Sequence, residues 1–363
     1  MDIDRIFLNK WITLFFIMAI ILAQNAYCQD QEKTAEFSFI AKNLEWKGVA
    51  VQDSNYTIWG CAPIQGEDGK THLFVARWPE KNVDPAWRKS SEIAHYVSDH
   101  PEGPFEFSDV AIKGTGTDNW DKYAPSNPEI KKVGKQYVLL YIGNTDYHQP
   151  PHPGNQSIGM AIADSPCGPW RKVGTDGQIL NANDPSKWCY KSSNGVVNPA
   201  FLAINGKYYL YFKARGKDGL RYGLAISDKL EGPYIISNEP ITDNNATLED
   251  ATAFYYNHTF YLLTTDNHGK NTGITGGGTL WKSKDGLSYK LKDAEVAYDR
   301  LPSYYPAYDI KKATKIYGPD PKLERPKVLM INDIPAYLYA PGGWNIFGGD
   351  RTVGYVLKIN PEK

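Results

Sequence analysis

One short pattern returns five times along the 363 residues of this chain, and this repeat constrains the fold more than any other feature. In each copy an apolar run ends at a two-residue turn, and a run rich in Tyr, Phe and Val follows. Turns such as Asp68-Gly69 and Asn205-Gly206 tolerate the positive φ that tight hairpins require, so these residues are assigned structural roles. The five predicted hairpins begin at Cys61, Asn127, Asn198, Glu249 and Glu324.

A second pattern follows most of the hairpins and predicts two further strands in each repeat. It occupies the segments Ser91–Phe105, Ile158–Trp170, Tyr222–Tyr234 and Leu280–Tyr289. Four antiparallel strands repeated five times are typical of a β-propeller, in which each blade packs on the next. The predicted fold is therefore all-β, a five-bladed β-propeller.

The last repeat is one strand short, because few residues remain after the run Val353–Ile359. The segment Phe37–Lys42 precedes the first hairpin. We expect this segment to supply the missing strand, which would close the ring and cover an open sheet edge.

Composition is that of a water-soluble globular domain, with a net charge of −1 and 42% hydrophobic residues. The repeats leave no room for a second domain, so residues 29–363 are predicted to form one propeller. A nucleic-acid partner is not expected, because the chain lacks a basic excess. The sequence leaves the oligomeric state open.

The first 28 residues read as a signal peptide. Arg5 and Lys10 precede the apolar run 11–22, and Ala26 lies near the predicted cleavage position. The run is shorter than the about 20 residues that a membrane span needs, although an uncleaved anchor is the alternative. We therefore expect an exported protein, periplasmic or secreted, without membrane insertion after cleavage.

The mature chain would contain three cysteines, Cys61, Cys167 and Cys189. Their spacing matches no zinc ligand set, so no residue is assigned as a metal ligand. The sequence allows a disulfide between Cys167 and Cys189, and Cys61 is expected to be a buried free thiol.

Propeller topology brings the starts of the inner strands and the ends of the second strands to one face, here called the mouth. Aromatic rings there can stack on sugars, and carboxylates can act on a glycosidic bond. This combination predicts an axial sugar site. The expected substrate contacts are Arg77, Trp78, Asn127, Asn198, Lys213, Arg215, Glu324, Arg325 and Trp344.

Here the chain resembles the five-bladed propeller glycoside hydrolases of family 43 and, more closely, of family 117. The resemblance covers essentially the whole mature chain. It is carried by Trp59-Gly60, Asp68-Gly69-Lys70, His72, Arg77-Trp78-Pro79, Leu248-Glu249-Asp250, Asp266-Asn267-His268-Gly269, Thr272-Gly273 and Glu324-Arg325-Pro326. Where family 43 has acidic residues, this chain has Ala62, Asn127 and Asn198, and only Glu249 is similar. This departure favours the family 117-like branch.

That resemblance implies a blade-one aspartate and a histidine as acid–base partners, which match Asp53 and His268. Glu249 is an alternative acid, and Asp250 would tune or orient it; adjacent strand residues face opposite sides, so one of the two is expected to face the pocket. Asp53 could instead cap a turn, and His268 could bond a loop carbonyl.

Glu324 and Arg325 could contact the substrate or form an ion pair within the last blade. Arg77, Lys213, Arg215 and Arg325 are more cations than a neutral sugar needs, which predicts an anionic substrate.

The predicted chemistry requires no cofactor, although a structural or site cation such as calcium, magnesium or zinc is compatible with the sequence. His148 and His152 lie four residues apart in a Pro-rich loop and could hold such an ion. Surface-loop polarity explains them equally well, as it does Asp118, Asp121 and Asp146.

The sequence thus predicts an exported, exo-acting glycoside hydrolase that cleaves a terminal residue from an oligosaccharide bearing uronate, anhydro or sulfate groups. Two alternatives remain: a carbohydrate-binding propeller without catalysis, which Asn127 and Asn198 suggest, and a protein-interaction scaffold.

Overall fold

Five antiparallel sheets surround a central axis in the computed structural model, which describes residues 35–79, 86–147, 156–244, 247–304, 322–342 and 352–360. Each sheet is one blade, and one of its edge strands lies nearest the axis. The predicted five-bladed β-propeller is confirmed.

Blades one and two follow the repeats that begin near Thr57 and Tyr123. Blade one contains β2 (Thr57–Gln65), β3 (Thr71–Trp78), β4 (Glu92–Ser98) and β5 (Glu106–Ile112), with helix α2 (Ala86–Lys89) before β4. Blade two contains β6 (Tyr123–Val133), β7 (Gln136–Asn144), β8 (Gln156–Ala163), β9 (Arg171–Lys172) and β10 (Gln178–Leu180), the last two both pairing with β8.

Blades three and four repeat the same order of four strands. Blade three contains β11 (Val197–Ile204), β12 (Lys207–Gly216), β13 (Gly219–Ser227) and β14 (Ile235–Ile236). Blade four contains β15 (Glu249–Tyr256), β16 (Thr259–Asp266), β17 (Gly277–Ser283) and β18 (Glu295–Tyr298), with 3₁₀ turns at Leu291–Asp293 and Leu301–Ser303.

Blade five joins the two ends of the described chain. Its strands from the axis outward are β19 (Lys327–Ile331), β20 (Ile334–Gly342), β21 (Val353–Ile359) and β1 (Leu44–Val51). The missing fourth strand therefore comes from the N-terminal side, as expected, but from β1 rather than Phe37–Lys42.

The predicted closing segment Phe37–Lys42 has a different structure. Ser38 Oγ accepts a hydrogen bond from the N–H of Ala41 and caps the short helix α1 (Phe39–Lys42), while Phe37 forms a bridge with Val296 of blade four. A side chain that caps a turn offers the backbone an alternative to the sheet. The prediction for this segment was wrong in its residues.

Five apolar clusters hold the ring together, each shared by two neighbouring blades. Between blades five and one, for example, Tyr339 and Val356 pack with Leu73 and Val75. Because the last blade packs on the first in the same way as the others, the ring is closed.

The described residues from Glu36 onward belong to one compact unit. The predicted signal peptide, residues 1–28, lies outside the described residues. Among those that are described, no helix has the length and apolar character to cross a membrane.

Candidate functional site

Every inner strand carries one residue with positive φ at the same place beside the axis. Outside glycine this conformation is uncommon, and here it recurs in all five blades. The five residues are Gly60, Asn127, Asn198, Asp250 and Arg325, with φ between 49° and 63°.

In blades one to four these residues lie at β-bulges, where the register shifts against the second strand. A bulge bends a strand and redirects a side chain. Four polar side chains are thus directed into an axial pocket whose lining residues are Gly60, Asn127, Asn198, Pro199, Asp250, Ala251, Arg325 and Lys327. In blade one, the residue with the same conformation as Asn127 is Gly60. The sequence pattern had matched Asn127 with Ala62 instead.

A chain of hydrogen bonds runs around this pocket. Asn127 Nδ2 donates to Asn198 Oδ1 at 2.6 Å, and Asn198 Nδ2 donates to Asp250 Oδ1 at 2.7 Å. Arg325 Nη1 lies 3.0 Å from the same Asp250 oxygen, and its guanidinium lies 5.5 Å from the centre of the Trp59 ring. Four of the predicted site residues are therefore brought together by direct contact.

A buried ion pair lies beside this ring and joins blade two to blade five. Lys327 Nζ binds Glu129 Oε2 and also donates to the carbonyl oxygen of Ala251 at 3.1 Å. Both side chains are buried, and Lys131 lies 3.1 Å from the other Glu129 oxygen. Lys327 is also one of the residues that line the pocket.

Glu249 directly precedes Asp250 in β15 and is not itself among the residues that line the pocket. Its carboxylate accepts a hydrogen bond from Lys213 Nζ at 2.6 Å, and 26% of its side chain is exposed. Burial raises the pKa of Glu249, but the charges of Lys213 and Arg325 outweigh it, so this pKa lies below its ordinary value. Glu249 is ionised at neutral pH.

Asp250 is more deeply buried than Glu249, with 4% of its surface exposed. Burial and the negative charge of Glu249 raise the pKa of Asp250 above its ordinary value, against the opposing effect of Arg325. Asn198 and Arg325 both contact the same oxygen of Asp250, Oδ1.

Glu324 has a strongly perturbed carboxyl. Burial raises its pKa to about 8, and the charges of Asp250 and Glu249 add to the effect. Its Oε2 has no hydrogen-bond partner within the part of the chain that the structure describes. The proposed ion pair with Arg325 does not form, because Arg325 pairs with Asp250. The raised pKa favours the protonated form of the Glu324 carboxyl near neutral pH.

His268 is exposed in the turn that follows β16. The preceding Asp266 fixes this turn, since its Oδ2 accepts hydrogen bonds from the N–H groups of Asn271 and Thr272 and from Thr272 Oγ1 at 2.8–3.0 Å. The turn holds His268 at the mouth. The acid–base role of His268 remains a prediction.

Asp53 lies between β1 and β2 and is not among the residues that line the axial pocket. Its Oδ1 accepts a hydrogen bond from the N–H of Asn55 at 2.8 Å, as in a turn cap. Its Oδ2 lies 3.5 Å from Tyr96 Oη and 3.8 Å from Arg77 Nη1. These contacts match the turn-capping alternative for Asp53.

The remaining predicted contacts are distributed over several environments. Arg77 is buried and donates from Nε and Nη2 to Glu92 at 2.9–3.0 Å, and Trp78 is packed in a cluster with Trp59 and Ala86. Arg215 is exposed. Trp344, His148 and His152 lie outside the described residues. Three of the four predicted cations, Arg77, Lys213 and Arg325, are thus neutralised by carboxylates of the protein.

The described cysteines are all free thiols, so the disulfide that the sequence allowed between Cys167 and Cys189 does not form. Cys61 is buried as expected, and its burial raises the pKa of the thiol.

The sequence predicted Glu324 as a substrate contact but not the difference in pKa between Glu249 and Glu324. A Glu before a positive-φ residue occurs in both Glu249-Asp250 and Glu324-Arg325, so the pattern marked both positions. Burial and the charges of residues in other blades keep the pKa of Glu249 low and raise the pKa of Glu324. Both effects depend on the tertiary structure.

Known proteins show where this architecture occurs. No protein-family model matches the chain. Zg3597, a family 117 glycoside hydrolase of the marine bacterium Zobellia galactanivorans, superposes with a TM-score of 0.64 at 15% identity, covering 88% of this chain and 91% of that one. CoXyl43, a family 43 β-xylosidase/α-arabinofuranosidase from a compost metagenome, gives a TM-score of 0.54 at 14% identity, covering 88% and 94%.

A short segment also resembles a protein of known activity. Xylosidase/arabinosidase 43A of Humicola insolens is 60% identical over 74 residues, which are 20% of this chain and 21% of that protein. The chain therefore matches about a fifth of this relative's length. The structural similarities show that the chain has the fold of family 117 and family 43 glycoside hydrolases.

Proposed function

We propose that this protein is an exo-acting glycoside hydrolase that releases a terminal sugar from an oligosaccharide. One observation carries the proposal: a neutral carboxyl, Glu324, and an ionised one, Glu249, precede two lining residues of a single axial pocket. Two carboxyl groups whose environments separate their pKa values are the requirement for glycoside hydrolysis.

In this mechanism Glu324 protonates the glycosidic oxygen as the bond to the leaving group breaks. Glu249 acts on the opposite side, either by taking a proton from water or by attacking the anomeric carbon directly. The separation of the two carboxyl groups in the substrate complex distinguishes these cases, at about 6.5–9.5 Å for inversion and about 5–5.5 Å for retention.

The other lining residues would bind the sugar. The amides of Asn127 and Asn198 can each donate and accept, which suits sugar hydroxyl groups. Asp250 and Arg325 hold these amides in place through the hydrogen-bond chain. His268 would contact the leaving part of the substrate from the mouth.

We infer that the pocket is closed on one side, which favours an exo-acting enzyme. The buried pair Glu129–Lys327 joins blade two to blade five, and Lys327 lines the pocket. A pocket with a floor accepts the end of a chain, whereas cleavage within a chain needs a groove open at both sides. The substrate is therefore an oligosaccharide with a free terminus at the cleaved residue.

The charge of the substrate is a finer part of the proposal. The sequence favoured an anionic or anhydro sugar, but the structure pairs Arg77, Lys213 and Arg325 with carboxylates. Among the four cations predicted from the sequence, Arg215 is the exposed one. An anionic group would sit outside the polar ring, near Arg215, and its binding would weaken as salt increases. Export through the N-terminal segment belongs to the same proposal.

The test compares three substitutions on a series of aryl glycosides with different leaving groups. We expect Glu324→Gln and Glu249→Gln each to lower kcat by about 10²–10⁴-fold. The loss in Glu324→Gln should be largest for poor leaving groups. The kcat of Asp53→Asn should stay within a few-fold of that of the unmodified protein if Asp53 caps a turn. Glu67→Gln is the matched control, because Glu67 forms an exposed ion pair with Lys132.

The pH profile supplies an independent readout. Activity should fall as pH rises through about 8, because Glu324 loses the proton that it donates. An unchanged rate in Glu324→Gln, or lost activity in Asp53→Asn alone, would reject the assigned acid or base. Sugar binding without turnover in the unmodified protein would leave the binding-module alternative.

A further inference from the structure

A second cluster of reactive side chains lies between blades one and two. His72 of β3 and His95 of β4 are both fully buried, and Cys167 follows β8 in an exposed turn. A nitrogen of each ring and the Cys167 sulfur all lie within 4.8 Å of one another. These residues lie toward the hairpin ends of the blades, opposite the mouth, and none lines the axial pocket.

Two carboxylates determine which ring nitrogens are available. Asp68 binds His72 Nε2 at 3.1 Å, and Asp109 Oδ2 binds His95 Nδ1 at 3.0 Å. An ionised carboxylate only accepts hydrogen bonds, so each of these outer nitrogens carries a hydrogen. In neutral imidazole the other nitrogen is then a lone-pair acceptor.

The two inner nitrogens therefore face each other with their lone pairs. His72 Nδ1 and His95 Nε2 are 2.8 Å apart, and the rings are nearly parallel at 14°. Two acceptors at this separation repel unless a positive charge lies between them. A bridging proton would create a buried imidazolium, whereas a metal ion would use both lone pairs as ligands.

We propose that His72 Nδ1, His95 Nε2 and the Cys167 thiolate form a site for a divalent metal ion of the zinc class. Two imidazoles and a thiolate are a ligand set that Zn²⁺ prefers, with a fourth position for water on the exposed side. The two nitrogens need to separate by only about 0.5 Å, since ligands at about 2.0–2.1 Å from tetrahedral zinc are about 3.3 Å apart.

The surroundings have further features of a built metal site. Asp68 and Asp109 orient the ligand rings through the outer nitrogens, an arrangement that commonly supports histidine ligands of zinc. Ser108 Oγ in turn donates to Asp109 Oδ2 at 2.8 Å, and the Phe74 ring stacks on His95 at 4.9 Å. The N–H of Cys167 donates to Ser165 Oγ at 3.1 Å, which fixes the turn that presents the thiol.

The sequence did not predict this site because its ligands come from three separate elements. His72 and His95 lie on two paired strands, and Cys167 belongs to the next blade. The spacing therefore matches no compact zinc motif. A bound ion would join blade one to blade two at their outer ends.

The experiment uses the whole protein with Zn²⁺ and Co²⁺ as probes, in the presence of a phosphine reductant. We expect about one equivalent of Zn²⁺ to remain after dialysis, the Co²⁺ form to show a thiolate-to-metal charge-transfer band, and Zn²⁺ to raise the Tm. Cys167→Ser should abolish the band without unfolding the protein, because this side chain is exposed. His100→Gln, at an exposed histidine outside the cluster, should bind like the unmodified chain.

A second variant tests the orienting role of Asp109, which is 44% exposed. Asp109→Asn should weaken zinc binding by about 10–100-fold with the apo-protein still folded. Absence of retained metal in the unmodified protein, or equal retention in Cys167→Ser, would overturn the proposal. Loss of metal binding in His100→Gln would also count against it, since binding would then not depend on this cluster.

Discussion

Glu249 and Glu324 show how two identical side chains acquire different chemistry within one site. Glu249 contacts Lys213 and keeps a lowered pKa, while Glu324 has a buried oxygen without a partner among the described residues and a pKa of about 8. The difference arises from contacts made by other blades, since both residues begin the same local pattern.

The pH dependence of stability tests the state of Glu324. Its pKa is about 8 in the folded protein against an ordinary value of 4.5, so the folded state holds the proton more tightly. The contribution of this group to the unfolding free energy is therefore complete below about 4.5 and decreases toward pH 8, by up to about 1.4 kcal/mol per pH unit. Glu324→Gln should remove this decrease. The change in unfolding free energy caused by the substitution should therefore be more favourable at pH 8 than at pH 5.

Urea denaturation at several pH values measures this difference, and Glu67→Gln is the matched control. Because the hydrogen bond from Lys132 lowers the pKa of Glu67, its contribution is present above the ordinary value and is lost only toward acid pH. The difference between Glu67→Gln and the unmodified protein should stay constant from pH 6 to 8. A constant difference for Glu324→Gln over the same range would contradict the raised pKa.

At the scale of the elements, the closing strand β1 determines whether the ring can form. It pairs with β21 along its length, and Ala50 and Val51 join the cluster between blades five and one. A chain that begins at Glu36 should unfold at the same temperature as the full chain. A chain that begins at Gln52 should lose several degrees of Tm or aggregate, because it exposes the edge of β21.

Thermal denaturation followed by circular dichroism, with size-exclusion chromatography, provides the measurement. Equal unfolding temperatures for the two shortened chains would show that β1 does not hold the ring together.

The same strand shows how far the sequence predicts the fold. Hairpin turns and alternating aromatic runs predicted the blades, because Asn205 and Gly206 adopt the positive φ that such turns require. The closing strand was placed too early, at Phe37–Lys42, whereas the strand that closes the ring is β1, which a bulge at Gly48 interrupts. The sequence predicted which types of residue line the site. The raised pKa of Glu324 and the hydrogen-bond chain depend on which blades meet at the axis, so the sequence alone does not show them.

At the scale of the whole molecule, the pair Glu129–Lys327 joins blade two to blade five across the axis. Lys327→Met should destabilise the protein by about 3–5 kcal/mol, because it leaves the buried Glu129 carboxylate with only the partly exposed Lys131. The double variant Glu129→Gln with Lys327→Met should recover much of this loss.

Urea denaturation of the two single variants and the double variant measures this coupling. A double variant as unstable as the sum of its two single variants would show that the two side chains do not interact.

The glycine at position 60 breaks the pseudo-fivefold symmetry of the axial ring. Four positions extend polar side chains, and a Cβ added at the fifth would lie 3.4 Å from Pro128 Cδ and 3.7 Å from Arg325 Cδ. Five equal groups would offer a ligand five equivalent rotations about the axis. With one gap and three kinds of side chain at the other four positions, a single azimuth is preferred, and the asymmetry of the ring would allow the proposed sugar site to distinguish one sugar epimer from another.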